Sequence, residues 1–184
     1  MSLPVSLYYA SHDGHTRRIA ARFAARLREA GCAVAVTDLA DRQPDAAEVT
    51  AAGVVAVIAA IRYGHHLPPA RRMVTAHRAR LAGKPLAVIS VNLTARKPEK
   101  RTLQSSVYLR KWMARAGLSP AVAAAVAGRL DYPRYGWFDR LMIRLIMTLT
   151  KGPTDPSRTI EFTDWDQVDG LAAEIARLAG ADGA

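Results

Sequence analysis

The stretch Ser11–Thr16 reads S-H-D-G-H-T and lies between a short apolar run, Leu3–Ala10, and a long amphipathic segment, Arg17–Ala30. At a strand-to-helix junction these residue types can hold a phosphate. The first N–H groups of a helix have no intrahelical partner and the helix dipole is positive there, so a dianion is stabilised. Ser11 and Thr16 add hydroxyl donors, and Gly14 permits close backbone approach or a positive φ. The same pattern also serves an ordinary βα turn with helix-capping side chains. Two further stretches carry chemistry: Arg62–His66 (R-Y-G-H-H) supplies an aromatic ring and a flexible Gly64, and Asn92–Arg101 supplies an amide and a cation cluster. Neither G-x-G-x-x-G nor G-x-x-x-x-G-K-S/T follows the first apolar run, which argues against a dinucleotide Rossmann site and a P-loop NTPase. The five histidines are not at metal-ligand spacing with acidic or thiol partners, so no metal is expected.

The elements that must position these loops alternate. Leu3–Tyr9 predicts a buried strand, and Arg17–Ala30 a helix with Ile19, Phe23, Ala24 and Leu27 on one face. Ala33–Leu39 follows as a second strand and Asp45–Ala52 as a short helix. Gly53–Ile61, continuously apolar, suits a central parallel strand covered on both faces. Pro68–Leu81 and Leu103–Ala116 predict helices, Pro85–Val91 and Ala121–Leu130 strands, and Asp164–Leu178 a closing helix with Asp164 as N-cap. Five strands alternating with helices imply a doubly wound parallel α/β sheet, whose ligands bind beyond the C-terminal strand ends at the topological switch point. The three chemical stretches should converge there.

A chain of 184 residues with half its residues apolar is expected to form one domain with a single core. The lone Cys32 rules out an intramolecular disulfide and fits a reducing, cytoplasmic setting. No signal peptide is expected, and no run approaches the roughly 18 apolar residues of a membrane span. The net charge of +10 is concentrated. Thr94–Lys111 carries six cations against Glu99 alone, and Arg129–Arg158 six against Asp131, Asp139 and Asp155. Such an electropositive face suits nucleic acid, an anionic membrane or a polyanionic small molecule.

Asp131–Arg158 breaks the alternation. Within it, the pattern of Trp137–Leu149 (W-F-D-R-L-M-I-R-L-I-M-T-L) predicts a helix on which Arg140, Arg144 and Thr148 would make one narrow polar stripe and apolar side chains cover most of the rest. It is too short and too interrupted by arginine to span a bilayer, but suits an interfacial helix with snorkelling arginines. An added core helix or an oligomer interface are the other roles such a face can have.

Across nearly its whole length the chain resembles the flavodoxin-like family, with Ser11, Gly14, His15 and Thr16 matching the phosphate loop and Asp13 departing from the hydroxyl residue common there. The strings I-R-Y-G-H (Ile61–His65), S-V-N-L-T-A-R-K-P-E-K-R-T (Ser90–Thr102), Y-P-R-Y (Tyr132–Tyr135), D-R-L-M-I-R-L-I-M (Asp139–Met147) and T-D-W (Thr163–Trp165) are similar to the quinone-dependent protoporphyrinogen IX dehydrogenases of bacterial haem biosynthesis. The resemblance implies a flavodoxin-like five-stranded sheet of order 2-1-3-4-5, with residues 131–158 as an insertion after or within the fifth strand. It implies FMN, with Ser11, His12, Asp13, Gly14, His15 and Thr16 on its phosphate side, and Ile61, Arg62, Tyr63, Gly64, Asn92, Leu93, Thr94 and Ala95 around its ring. The implied reaction is oxidation of protoporphyrinogen IX to protoporphyrin IX with a membrane quinone, menaquinone or ubiquinone, as acceptor. The protein would then lie peripherally on the inner face of the cell membrane, as a monomer or a homo-oligomer.

An apolar substrate with two propionates fits a basic rim above an aromatic-lined flavin. Arg96, Lys97, Lys100, Arg101, Arg140 and Arg144 are the candidates for substrate or headgroup contact. No general base is assigned; His65 is the nearest by position, and a histidine hydrogen-bonded within its loop is the simpler role. The alternative within redox chemistry is an NAD(P)H:quinone reductase or electron-transfer flavodoxin, although soluble carriers of that kind are usually acidic. A nucleic-acid-binding module is motivated by charge alone, with no helix-turn-helix or aromatic RNA-binding motif to support it.

Overall fold

The computed structural model describes residues 2–131 and 159–181. Strands β1 (Val5–Ala10), β2 (Val34–Asp38) and β3 (Val54–Arg62) are followed by a two-residue return strand, β4 (His65–His66), and then by β5 (Leu86–Asn92) and β6 (Val122–Ala127). The long strands are parallel in the order β2-β1-β3-β5-β6, and β4 pairs antiparallel with the end of β3. This is the expected order 2-1-3-4-5, with the short return strand taking one number. Val54–Ala59 of β3 and the whole of β5 are buried, as strands covered on both faces must be.

Alternation along β1 decides which helices go where. Val5, Leu7 and Tyr9 join the core beneath α1 (His15–Glu29) and the closing helix α6 (Trp165–Leu178). Tyr8 and Ala10 point to the opposite face, which is covered by α2 (Ala46–Ala51), α3 (Pro68–Ala76), α4 (Arg78–Ala82) and α5 (Val107–Ala116). The apolar face of α1 is the predicted one, with Ile19, Phe23, Ala24 and Leu27 all buried. Each large side chain so buried contributes about 1.5–3 kcal/mol.

Several boundaries differ from the sequence-based expectation, each for a local reason. The first helix begins two residues early, at His15, because Gly14 turns the chain at φ 79° immediately before it. Pro68–Leu81 is two helices, broken at His77, whose Nε2–H donates to the Pro44 carbonyl at 3.1 Å. Leu103–Ala116 shortens to Val107–Ala116, since Thr102 and Ser105 bond each other's hydroxyls and backbone in a turn. The predicted strand Ala121–Leu130 divides at Gly128. Its second part, β7 (Arg129–Asp131), leaves the main sheet and pairs antiparallel with β8 (Thr159–Glu161). The two ends of the 132–158 segment are thus held side by side. The predicted helix Trp137–Leu149, with Arg140 and Arg144, lies outside the described residues. No helix among the described residues is long and apolar enough to cross a membrane.

A charged clamp ties α1 to α6. Asp169 accepts two bonds from Arg22 and one from Arg26, all at 2.7 Å. These charge-assisted bonds, from Arg22 first and Arg26 second, hold the Asp169 carboxyl well below the usual carboxylate range. A depressed acid pKa adds stability that is complete above the unfolded value near 3.8 and is lost as pH falls below it. Asp169→Asn should therefore lower the melting temperature at neutral pH by a constant amount down to about pH 4. Below that the gap from wild type should close; a gap that persists in acid would show that packing, and not charge, is what the substitution removes.

Candidate functional site

The Ser11–Thr16 loop links β1 to α1, and its donors are left uncommitted. α1 has no side-chain cap on its first N–H groups and no acid in its first turn. The Ser11 hydroxyl oxygen is shielded from solvent and has no hydrogen-bond partner, and Thr16 is only 3 % exposed. A Cβ built on Gly14 meets nothing within 4 Å, so the loop borders open space. Uncapped amides, an orphaned buried hydroxyl and a first helical turn without acids form a donor set that fits a phosphate dianion. The Asp13 carboxylate of the same loop lies beside His12 and does not cap the helix.

His15 closes the base of this loop. Its Nε2 lies 2.6 Å from Thr163 Oγ1, and that hydroxyl donates its own hydrogen to the Ala127 carbonyl at 2.8 Å. His15 therefore donates from Nε2, and in the neutral ring Nδ1 carries a bare lone pair; this atom is buried and has no partner. Burial pushes the His15 pKa down, Arg18 and Arg129 push the same way, and Glu161 opposes them. Glu161 also accepts from Arg18 at 3.0 Å and from the Trp165 indole at 2.9 Å, and Trp165 meets the His15 ring edge-on at 6.3 Å. The β7–β8 ribbon is thereby joined to the start of α1.

The second loop is a tight hairpin. β3 and β4 pair Arg62 with His65, leaving Tyr63 and Gly64 as a two-residue connection with φ of 50° and 78°. Positive φ at both central residues is the type I′ turn that matches strand twist. Glycine takes it freely, whereas at Tyr63 it is strained by about 1 kcal/mol. The Tyr63 ring is exposed at the tip. The Arg62 guanidinium lies 5.1 Å from the ring's centroid and contacts the His12 imidazole, which brings the first two loops together. His12 is also 3.7 Å from Asp13, and Ile61 is half-buried opposite buried His66.

Beneath the second and third loops runs a polar network. His66 Nε2 is 2.9 Å from Ser90 Oγ, which also accepts from Asn92 Nδ2 at 3.1 Å. Asn92 Oδ1 accepts from Ala95 N and Thr94 Oγ1, so this amide folds Leu93–Arg96 into a 3-10 turn. Burial pushes His66 down to about 3, helped by Arg71 and His65, so it is neutral at physiological pH.

The expected cation cluster does not act as a unit. Arg101 is committed to Asp164 at 2.7 Å and to the Ala95 carbonyl, and Arg96 donates to the Leu93 carbonyl. Lys97 and Lys100 are exposed. His65 is exposed at the hairpin. No group of three potential metal ligands occurs among the described residues. Sequence reasoning about sites missed Thr163, Trp165 and Glu161 as supports of the phosphate loop. The signal was there in the T-D-W string, whose spacing says nothing of its place beside residue 15 until β8 is paired.

The chain matches the flavodoxin domain over residues 6–157. It is 41 % identical over 172 residues to the protoporphyrinogen IX dehydrogenase (quinone) of Escherichia coli strain K12, covering 94 % of each chain. It is 38 % identical over 173 residues to the Leishmania major protein of the same name, covering 94 % of this chain and 74 % of that one. Among solved structures, flavodoxin 1 of Bacillus cereus shares the fold with a TM-score of 0.57 at 17 % identity, covering 95 % of this chain and 97 % of that one.

Ser11→Ala separates ligand binding from folding. Loss of a phosphate donor should weaken FMN binding by about 1–3 kcal/mol. Because the hydroxyl has no partner within the protein, the melting temperature without FMN should be unchanged or higher. Fluorescence titration and thermal melts of the FMN-free protein measure the two; a lower melting temperature with unchanged affinity would make Ser11 a purely structural residue.

Proposed function

The chain belongs to the quinone-dependent protoporphyrinogen IX dehydrogenases built on a flavodoxin domain, and on that premise we propose that it oxidises protoporphyrinogen IX to protoporphyrin IX, using FMN as cofactor and a quinone as acceptor. The observation that carries the cofactor assignment is the uncapped start of α1 beside the orphaned Ser11 hydroxyl. Bound FMN would supply two-electron redox chemistry, three rounds of which balance the six electrons removed from the porphyrinogen. The protein's residues bind and orient. Backbone amides of His15 and Thr16, with the two loop hydroxyls, would hold the phosphate, and the His15 ring fixes the base of the loop through Thr163. Tyr63–Gly64 and Leu93–Ala95 would flank its ring, and the Ser90–His66–Asn92 network ties these two loops together.

Residues 131–158, read from the sequence as an insertion, are proposed to meet the membrane. The pattern of 137–149, with Arg140 and Arg144 on a narrow polar stripe, suits the interface of an anionic bilayer, and exposed Lys97 and Lys100 would add to that basic face. The pairing of β7 with β8 supports this, because the insertion leaves and re-enters beside the phosphate loop, where Glu161 holds Arg18. A membrane-binding segment that leaves and returns there would bring the flavin site to where quinones reside. The protein is thus peripheral on the cytoplasmic face of the cell membrane.

Anaerobic mixing of the FMN-loaded protein with protoporphyrinogen IX and a quinone should raise porphyrin fluorescence at a rate proportional to enzyme. FMN-loaded protein that gives no rise above the quinone-only control would refute the activity. For the membrane part, changing Leu141, Met142 and Ile146 to Ser should release the protein from anionic liposomes and abolish quinone reduction in membranes. Oxidation of the substrate with a water-soluble acceptor should survive. A wild-type protein that never sediments with liposomes would instead leave the helix a core or subunit-interface element.

A further inference from the structure

A cleft of about 230 Å³ opens between α3 and α5, behind the Tyr63–Gly64 hairpin. Its walls are two helix faces: Arg71 and Thr75 on α3, and Tyr108, Lys111 and Arg115 on α5. The spacing of Lys111 and Arg115 puts them one turn apart on the same face, where like charges repel. No acid lines the cleft, and neither lysine nor arginine there has an ion-pair partner among the described residues. Arg71, Lys111 and Arg115 are exposed, so water screens their mutual repulsion, but all three line one small space with no acid in it, which an anion would complement.

The floor is different in character. Trp112 stacks on the buried His66 ring with centroids 4.1 Å apart and planes 28° apart. An aromatic floor under cationic walls suits the flank of a planar organic acid more than a fully hydrated ion. At this size the cleft admits a carboxylate arm and its methylene carbons, and is below the usual range for a whole drug-sized ligand. Gly64 and His65 of the hairpin also line it, and a Cβ at Gly64 would come within 3.8 Å of the Tyr108 ring.

We propose that the cleft bounded by Arg71, Lys111 and Arg115 is the anchor for a propionate carboxylate of the porphyrinogen, with the macrocycle lying over the Tyr63–Gly64 hairpin. This rests on the activity proposed above and relocates the acid-binding role from Arg96 and Arg101, which are occupied in shaping their own loop. The anchor fixes which edge of the macrocycle faces the ring plane, so it sets affinity through the acid arms and orientation through the hairpin.

The test compares protoporphyrinogen IX with its dimethyl ester, which keeps the macrocycle and removes both charges. FMN-loaded protein and a water-soluble acceptor are used, so that no membrane is needed. In wild type the free acid should have a KM roughly tenfold or more below that of the ester. In the triple variant Arg71→Gln, Lys111→Gln, Arg115→Gln the ratio should collapse toward one through a rise in the acid's KM. An unchanged acid KM in the variant, or a wild type that does not distinguish acid from ester, overturns the proposal while leaving the activity standing. A variant with unchanged KM that no longer sediments with phosphatidylglycerol vesicles also overturns it, and makes the cleft a lipid-phosphate site. If wild-type protein with FMN bound oxidises neither form, the activity itself fails and the anchor with it. Should the triple variant lose FMN, Lys111→Gln and Arg115→Gln are measured singly, each expected to raise the acid's KM by a few fold.

Discussion

The bare N–H groups at the start of α1 are the constraint on which the site depends. A buried helix end ordinarily finds a side-chain partner, and this chain supplies such partners elsewhere: Asp45 and Glu48 form a reciprocal capping box on α2, and Asp164 caps α6. At α1, Gly14 makes the turn and no side chain caps the amides. Leaving donors unpaired costs stability, and the cost is tolerable because the surroundings fix them from outside the loop. His15 is held through Thr163 to the Ala127 carbonyl, and the Asp169 clamp ties the body of α1 to α6. The loop is therefore preorganised by parts of the chain more than a hundred residues away.

Charge in this protein is divided between two tasks. Arg18, Arg22, Arg26, Arg42 and Arg101 each meet a carboxylate; single half-exposed pairs such as Arg18–Glu161 mainly fix geometry, while Asp169, shared by Arg22 and Arg26, also adds stability. The cations of the α3–α5 cleft and the outward Lys97 and Lys100 meet none among the described residues. The second group belongs to the cations whose field is not cancelled locally by a carboxylate. Ranking cations by sequence density pointed to Thr94–Lys111 as one patch, whereas the fold turns Arg101 inward to Asp164 and sends Lys111 to a different cleft.

The alternation of strands and helices and the placement of the three loops at one sheet end were legible because period and apolarity decide them, while the strand order was what the resemblance implied. Gly53–Ile61 has no polar residue, and a strand of that kind has to be central. What was not legible depends on single contacts between distant residues. The break at His77 needs the Pro44 carbonyl, and the departure of the chain at Gly128 needs Thr159–Glu161 as partner for β7. Asn92 could be recognised as a loop residue facing the site, but its amide is used up within its own turn, which depends on Ser90 and Thr94 lying within reach. Local pattern fixes which elements form. Partner identity at their ends decides which side chains remain available for a ligand.

The hairpin at Tyr63 shows how those two levels meet. A type I′ turn accommodates glycine or asparagine at both central positions with little strain, so a tyrosine at φ 50° is a departure from what the backbone prefers. Its ring is exposed and buries little apolar surface, so packing does not explain its retention. The hairpin behind it is rigid for a separate reason. His66 is stacked on Trp112 of α5 and bonded to Ser90 of β5, so the return strand is fixed to both the sheet and the helix that bears Lys111 and Arg115. The exposed ring and the cationic cleft consequently belong to one stiff unit. A ligand that seats an acid in the cleft is thereby set against the tyrosine without any further adjustment of the loops, and binding energy gained at the cleft is available for orientation at the ring.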